Sequence, residues 1–200
     1  MVRILAILLA VLGYSSGSAV AGTLEITEIQ LQGGERTYIS ISDEIELGDW
    51  TKFFRLVRRT PSISGIILNS PGGSVDDGLA IAKYVYGHKL DTVAAGPCDS
   101  ICAIIFLSGE NRFLTPQGAL SFHSAYRKLD DWVSIDHQTN GKIACYLGHM
   151  GYPLPLAQLW ISTPVDQVAP ITAQMNADLQ LGFVAVDTVT KDEQLIAAKP

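Results

Sequence analysis

The chain has 200 residues, 48% of them hydrophobic and 17% charged. That much apolar chain can bury the core of one domain, and no Gly-X-Y or heptad repeat runs through it, so disordered-tail and fibrous classes are excluded. Lys and Arg number 14 against 20 Asp and Glu, a net charge of −6, and without a basic cluster this is no binder of nucleic acid or anionic lipid.

Residues 1–21 read as a cleavable signal peptide. Arg3 is the positive start, Ile4 to Leu12 the apolar run, and Ala19-Val20-Ala21 the small-x-small site, with the cut before Gly22. The apolar run is shorter than the ~20 residues a bilayer span needs. An uncleaved anchor is the alternative. The expectation is a periplasmic or secreted protein with no stable membrane span after cleavage. Residues 22–200 show no linker or composition shift and read as one domain, with 191–200 a frayed tail.

Leu24 to Gln32 alternates apolar and polar residues, the period of a half-buried strand with one slip, and Thr37 to Ile41 reads as a second strand after Gly33-Gly34. Trp50, Phe53, Phe54 and Val57 recur at helical spacing, with Asp49 the expected N-cap and Pro61 the stop. Ser64 to Leu68 is a buried strand leading into Asn69-Ser70-Pro71-Gly72-Gly73-Ser74, and Val75 to Tyr86 is helical. Thr92 to Ala95 is a strand, Gly96-Pro97 a turn, and Ser100 to Leu107 a buried helix. Arg112 to Leu114 and Ala119 to Phe122 are strands. Helices follow at Ile135 to His149 and Ile171 to Leu179, with Pro153 and Pro155 breaking the chain before Leu156 to Ile161. Strands alternating with helices predict crossover units and a mostly parallel α/β sheet.

Two strand-to-helix turns and one histidine carry the chemistry. Pro71-Gly72-Gly73 exposes bare N–H groups that can stabilise an oxyanion, although such a turn is most often only a turn. Ser100 stands where a strand enters an apolar helix, as an N-cap does, but also as a nucleophile mounted on an elbow does. His123 ends the strand Leu120-Ser121-Phe122, and a parallel sheet can return it to the same edge. A serine within reach of a neutral imidazole is the minimum for acyl transfer.

The order of Asn69-Ser70-Pro71-Gly72-Gly73, Gly78-Leu79-Ala80-Ile81, Ser100 and His123 resembles the ClpP/crotonase superfamily, and within it the ClpP-like serine peptidases. The likeness runs from about Ile39 to Ala125. It implies the ClpP/crotonase-like ββα superhelix, with Ser100 as nucleophile and His123 as general base. It also implies an oxyanion hole from the Gly73 and Ile101 N–H groups, with Gly72 supporting the turn. Asp166, in Ser162-Thr163-Pro164-Val165-Asp166, is the third member by position, with Asp130, Asp131 and Asp136 as competitors. The activity implied is a serine hydrolase, a peptidase acting on peptides or proteins, without a cofactor and self-associating.

The sequence departs from that pattern around Ser100, where Cys98, Asp99 and Cys102 crowd the serine. A carboxylate facing the site would oppose a developing oxyanion. An oxidising compartment favours one disulfide, from Cys98 or Cys102 to Cys145, which would fasten the nucleophile helix to the later one; buried thiols filling the core are the alternative. Tyr126 to Asn140 is polar and matches neither the family's substrate-binding strand nor its barrel-building handle, so a chambered protease is not implied. Lys142 is the alternative base of a Ser–Lys dyad, or an exposed lysine. An inactive ClpP-like fold used for binding or assembly is the non-enzyme alternative. His88, His123, His137 and His149 are dispersed, so no metal site is expected.

Overall fold

A computed structural model describes residues 23–31, 34–129 and 132–186. Residues 1–21, read as a signal peptide, residues 191–200, read as a frayed tail, and the competitors Asp130 and Asp131 lie outside the described residues. Two strands, β1 (Thr23–Leu31) and β2 (Gly34–Ser42), pair antiparallel from Thr23↔Ser42 to Leu31↔Gly34.

Helix α1 (Asp49–Arg59) follows, but Asp49 is not its N-cap. Gly48, at φ 97°, holds that place, and Asp49 is buried in the first turn, accepting from Glu46 N–H at 2.7 Å and Lys52 Nζ at 2.7 Å. The cap comes from far along the chain. The Asp77 carboxylate accepts from Gly48 N–H at 3.0 Å and Trp50 N–H at 2.9 Å. A carboxylate at these orphaned donors favours the helix start, and it ties α1 to the next helix.

Strand β3 (Ile63–Ser70), helix α2 (Val75–Gly87) and strand β4 (Asp91–Asp99) continue a parallel β2-β3-β4 sheet through helical crossovers. Ser74 caps α2, its Oγ accepting from Asp77 N–H at 3.4 Å and donating to the Asp77 carboxylate at 2.8 Å. Gly96-Pro97, expected as a turn, lies inside β4. The strand passes through a register irregularity opposite β3, between Leu68 and Ser70. There is no room for a side chain at Gly96, because the Asn69 amide fills the space.

β4 then splits its pairing. Thr92–Ala94 joins β5 (Arg112–Leu114), while Pro97–Asp99 joins β6 (Ala119–Phe122). Between them runs α3 (Ile101–Leu107), every residue of it buried, with α2 packed against it. A Cβ at Gly78 would collide with Ile101, so glycine sets how closely these helices approach.

The sequence did not suggest the antiparallel hairpin strands β7 (Tyr126–Leu129) and β8 (Trp132–Ile135). Ile135 therefore belongs to a strand, and α4 (His137–His149) starts after Asp136, whose carboxylate accepts from Thr139 N–H at 3.0 Å. α5 (Leu154–Ser162) carries Pro155 in its first turn, where a missing N–H is harmless. β9 (Ala169–Pro170) pairs antiparallel with β6, α6 (Ala173–Asp178) follows, and β10 (Phe183–Ala185) pairs parallel with β5. The result is a mixed α/β fold whose main sheet runs β1-β2-β3-β4-β5-β10, mostly parallel as expected, with β6 and β9 branching beside the end of β4.

Candidate active site

The Pro-Gly-Gly turn is fixed from two sides. Gly72 (φ 96°) and Gly73 (φ 135°) occupy backbone regions that a side chain would make costly. Ser70 Oγ accepts from Gly72 N–H at 3.1 Å. Ile45 N–H donates to Gly72 O at 2.6 Å, and Ser74 N–H donates to Ile45 O at 2.7 Å. Because Gly72 O and Ser74 N–H both face Ile45, the intervening Gly73 N–H points the other way.

The second turn presses against the first. Ser100 sits at φ 57° and ψ −127°, a conformation costing a non-glycine residue about 1–3 kcal/mol. Its N–H donates to Ser121 O at 2.9 Å. Ile101 opens α3, so its N–H has no partner within the helix. A Cβ on Gly72 would come within 2.8 Å of Ser100 Cβ and 3.3 Å of Ile101 N. Ser100 and the Ile101 N–H thus stand against the Pro-Gly-Gly turn, and among the described residues neither the Gly73 nor the Ile101 N–H is seen to donate.

Asp99 is not aimed at this place. Its carboxylate accepts from Ser121 Oγ across the Asp99↔Ser121 pair of β4 and β6, and it does not line the cleft described next.

A cleft of about 480 Å³ is lined by Ser100, His123, Pro71, Gly72, Gly73 and Val75, with Glu44, Ala125, Tyr126 and Lys128 completing its wall. The His123 Nδ1 lies 3.0 Å from Ser124 O. A carbonyl can only accept, so Nδ1 carries the proton and Nε2 is left as a base. The ring stacks on Trp160 at 6.4 Å between centroids and 18° between planes. Trp160 is fully buried and donates through Nε1 to Asn140 Oδ1 at 2.7 Å. The same Asn140 clasps Ala125, accepting its N–H at 2.7 Å and donating to its carbonyl at 3.0 Å. Ser124 N–H donates to Thr163 O at 3.0 Å, so the chain just after His123 is held on both sides.

Two expectations, the third member Asp166 and the disulfide to Cys145, need correction. Asp166 is exposed and does not line the cleft. β6 pairs with β9 at Phe122↔Ala169, and continuing that antiparallel register sets Val168, not Asp166, across from His123. The competitor Asp136 caps α4 and bonds Arg127 Nε at 2.7 Å. That guanidinium, with the Thr139 N–H, holds its carboxyl well below the usual carboxylate range.

Lys142 is far from a buried base. Its Nζ lies 3.2 Å from Asp76 Oδ1, both side chains being largely exposed, on a separate groove between α2 and α4. The disulfide joins Cys98 to Cys102, and Cys145 is a free, exposed thiol on that same groove. Cys98 lies one residue before the end of β4 and Cys102 in the first turn of α3, and the elbow at Ser100 folds one onto the other.

Asn140 and Ser121 went unnoticed in the sequence. Asn140 falls inside the expected helix Ile135 to His149, where nothing local marks it, and only its buried bonds to Ala125 and Trp160 show its use. Among the described residues, no group of three or more His, Cys, Asp or Glu side chains converges, and no helix is long and apolar enough to cross a membrane.

Residues 58–140 match the family model of the Clp protease, a stretch that includes Ser100 and His123. No curated protein matches the sequence. Among solved structures, a membrane-bound stomatin-specific protease is similar at TM-score 0.56 and 14% identity, over 74% of this chain and 78% of that one. ClpP1 from Listeria monocytogenes is similar at TM-score 0.55 and 17% identity, over 76% and 91%. A peptidase from Plasmodium falciparum is similar at TM-score 0.55 and 13% identity, over 76% and 96%. Parallel sheet, crossover helices and these likenesses define the peptidase fold of ClpP. The fold is the ClpP-like one, and residues 58–140 carry the likeness to the Clp protease family.

Proposed function

We propose that this protein is a serine peptidase working by acyl transfer outside the cytoplasm, in the periplasm or after secretion. Ser100 Oγ attacks the scissile carbonyl while its proton passes to His123 Nε2. The Gly73 and Ile101 N–H groups receive the oxyanion of the tetrahedral intermediate. Collapse breaks the C–N bond, the leaving amine takes the proton from His123, and water then hydrolyses the acyl-enzyme by the same steps in reverse order.

Ser124 O takes the place of a carboxylate as the acceptor for Nδ1–H, so the catalytic pair is a dyad. The observation that carries this reading is the shared cleft, which Ser100 and His123 line together with Gly72 and Gly73. The Ser–Lys alternative would need Lys142 there, and Lys142 lines the other groove.

The test is hydrolysis of a quenched-fluorescence peptide library by purified residues 22–200. Ser100→Ala is expected to abolish cleavage, and His123→Ala to slow it about 10²- to 10⁴-fold. Lys142→Ala and Asp166→Ala are expected to change nothing. Cleavage that survives Ser100→Ala, or a folded wild-type protein that cleaves no member of the library, would overturn the proposal.

A further inference from the structure

We propose that the Cys98–Cys102 disulfide is a positioning element of the active site, holding Ser100 and the Ile101 N–H in the geometry that acyl transfer needs; this rests on the peptidase reading of the Ser100 cleft. The bond closes a ring of five residues, and the three it encloses are Asp99, Ser100 and Ile101. The nucleophile and one oxyanion donor therefore lie inside a covalent loop.

Both ends of that loop are anchored. Cys98 pairs with Ser70 on β3 and with Leu120 on β6, and Ser70 is the residue whose hydroxyl fixes Gly72. Cys102 lies in the first turn of the wholly buried α3. Both cysteines are fully buried. At the elbow Ser100 N–H donates to Ser121 O and Ser121 Oγ to Asp99, both toward β6, while Ala103 N–H donates to Ser100 O at 3.1 Å in the first turn of α3. The disulfide is the covalent link from strand to helix that spans the strained Ser100.

Its placement argues for a local effect. Closing so short a loop removes less entropy from the unfolded chain than a long-range bridge would, so the gain in overall stability is comparatively small. A five-residue ring around a non-glycine residue at φ 57° instead restricts the one backbone conformation that would otherwise relax.

The experiment compares disulfide-bonded protein with a Cys98→Ala/Cys102→Ala variant, both carrying Cys145→Ser to prevent exchange. Four quantities are read well below the unfolding temperature: kcat, KM, the labelling rate with a fluorophosphonate, and affinity for a peptide boronate that forms a tetrahedral adduct. Without the bond, kcat, labelling rate and boronate affinity are expected to fall about 10²-fold, the loss typical of one oxyanion donor, while KM stays in place. A folded variant with undiminished kcat, or one changed in KM alone, would overturn the proposal.

Should the double variant fail to fold, the dithiol form of the Cys145→Ser protein replaces it, with thiols counted by mass after alkylation. If that form also fails to fold, the bond serves folding and the positioning role is overturned. Equal labelling of both forms rejects the positioning role alone. Absence of labelling in the disulfide-bonded protein rejects the peptidase reading itself, and this proposal with it.

Discussion

Asn140 shows how much of the site depends on a single amide. Its oxygen accepts from both Trp160 and Ala125, and its nitrogen donates back to Ala125, all in a fully buried place. Asn140→Ala would orphan two donors and one acceptor, and each buried loss costs about 1–3 kcal/mol. A net destabilisation of about 3 kcal/mol is expected by urea unfolding, together with a looser His123. Asn140→Asp keeps the acceptor but sets an oxygen against Ala125 O, so it should not rescue. A second residue-scale prediction concerns Gly72. Gly72→Ala adds a Cβ only 2.8 Å from Ser100 Cβ at φ 96°, and kcat should collapse while the fold, measured by circular dichroism, persists.

At the scale of elements, the hairpin and α4 are joined by Arg127 and Asp136. The Asp136 carboxyl is held below its usual range, chiefly by the Arg127 guanidinium. The stability it lends is therefore complete above the unfolded value of about 3.9 and fades as pH falls through the lower folded one. Acid titration of Asp136→Asn should show a smaller loss of hairpin amide protection below pH ~4 than wild type shows. Equal losses would contradict the assignment. The two turns at the site were legible in the sequence because their grammar is local: an apolar strand, a Pro-Gly-Gly or a serine, then a helix. The hairpin was not, since Trp132, Val133 and Ile135 are exposed and give no alternation of buried and polar residues. The Asp166 assignment failed for a related reason. Which residue faces His123 is set by the β6–β9 register, and pairing between segments so far apart in sequence leaves no local mark. The disulfide was misjudged because Gly96-Pro97 looked like the end of β4, which hid the strand carrying Cys98 up to the elbow.

Across the whole molecule, buried phenols set an alkaline limit. Burial pushes Tyr152 up to about 12 and also raises Tyr38 and Tyr146. A raised folded value means the stability is fully present below the unfolded pKa of about 10 and is lost as pH climbs toward the folded one. The Tm should hold up to pH ~10 and drop beyond it, and Tyr152→Phe, which loses the 2.6 Å bond to Leu107 O, should lower Tm at neutral pH yet flatten that drop. Across the same scale, sheet, helices and loops converge on one purpose, the meeting of two turns and a histidine. Fluorophosphonate labelling of the folded, disulfide-bonded protein, followed by mass mapping of the adduct, tests that meeting most directly. A single adduct on Ser100, formed far more slowly in His123→Ala, is the outcome expected here; a folded protein that takes no adduct, or takes it on another residue, would contradict it.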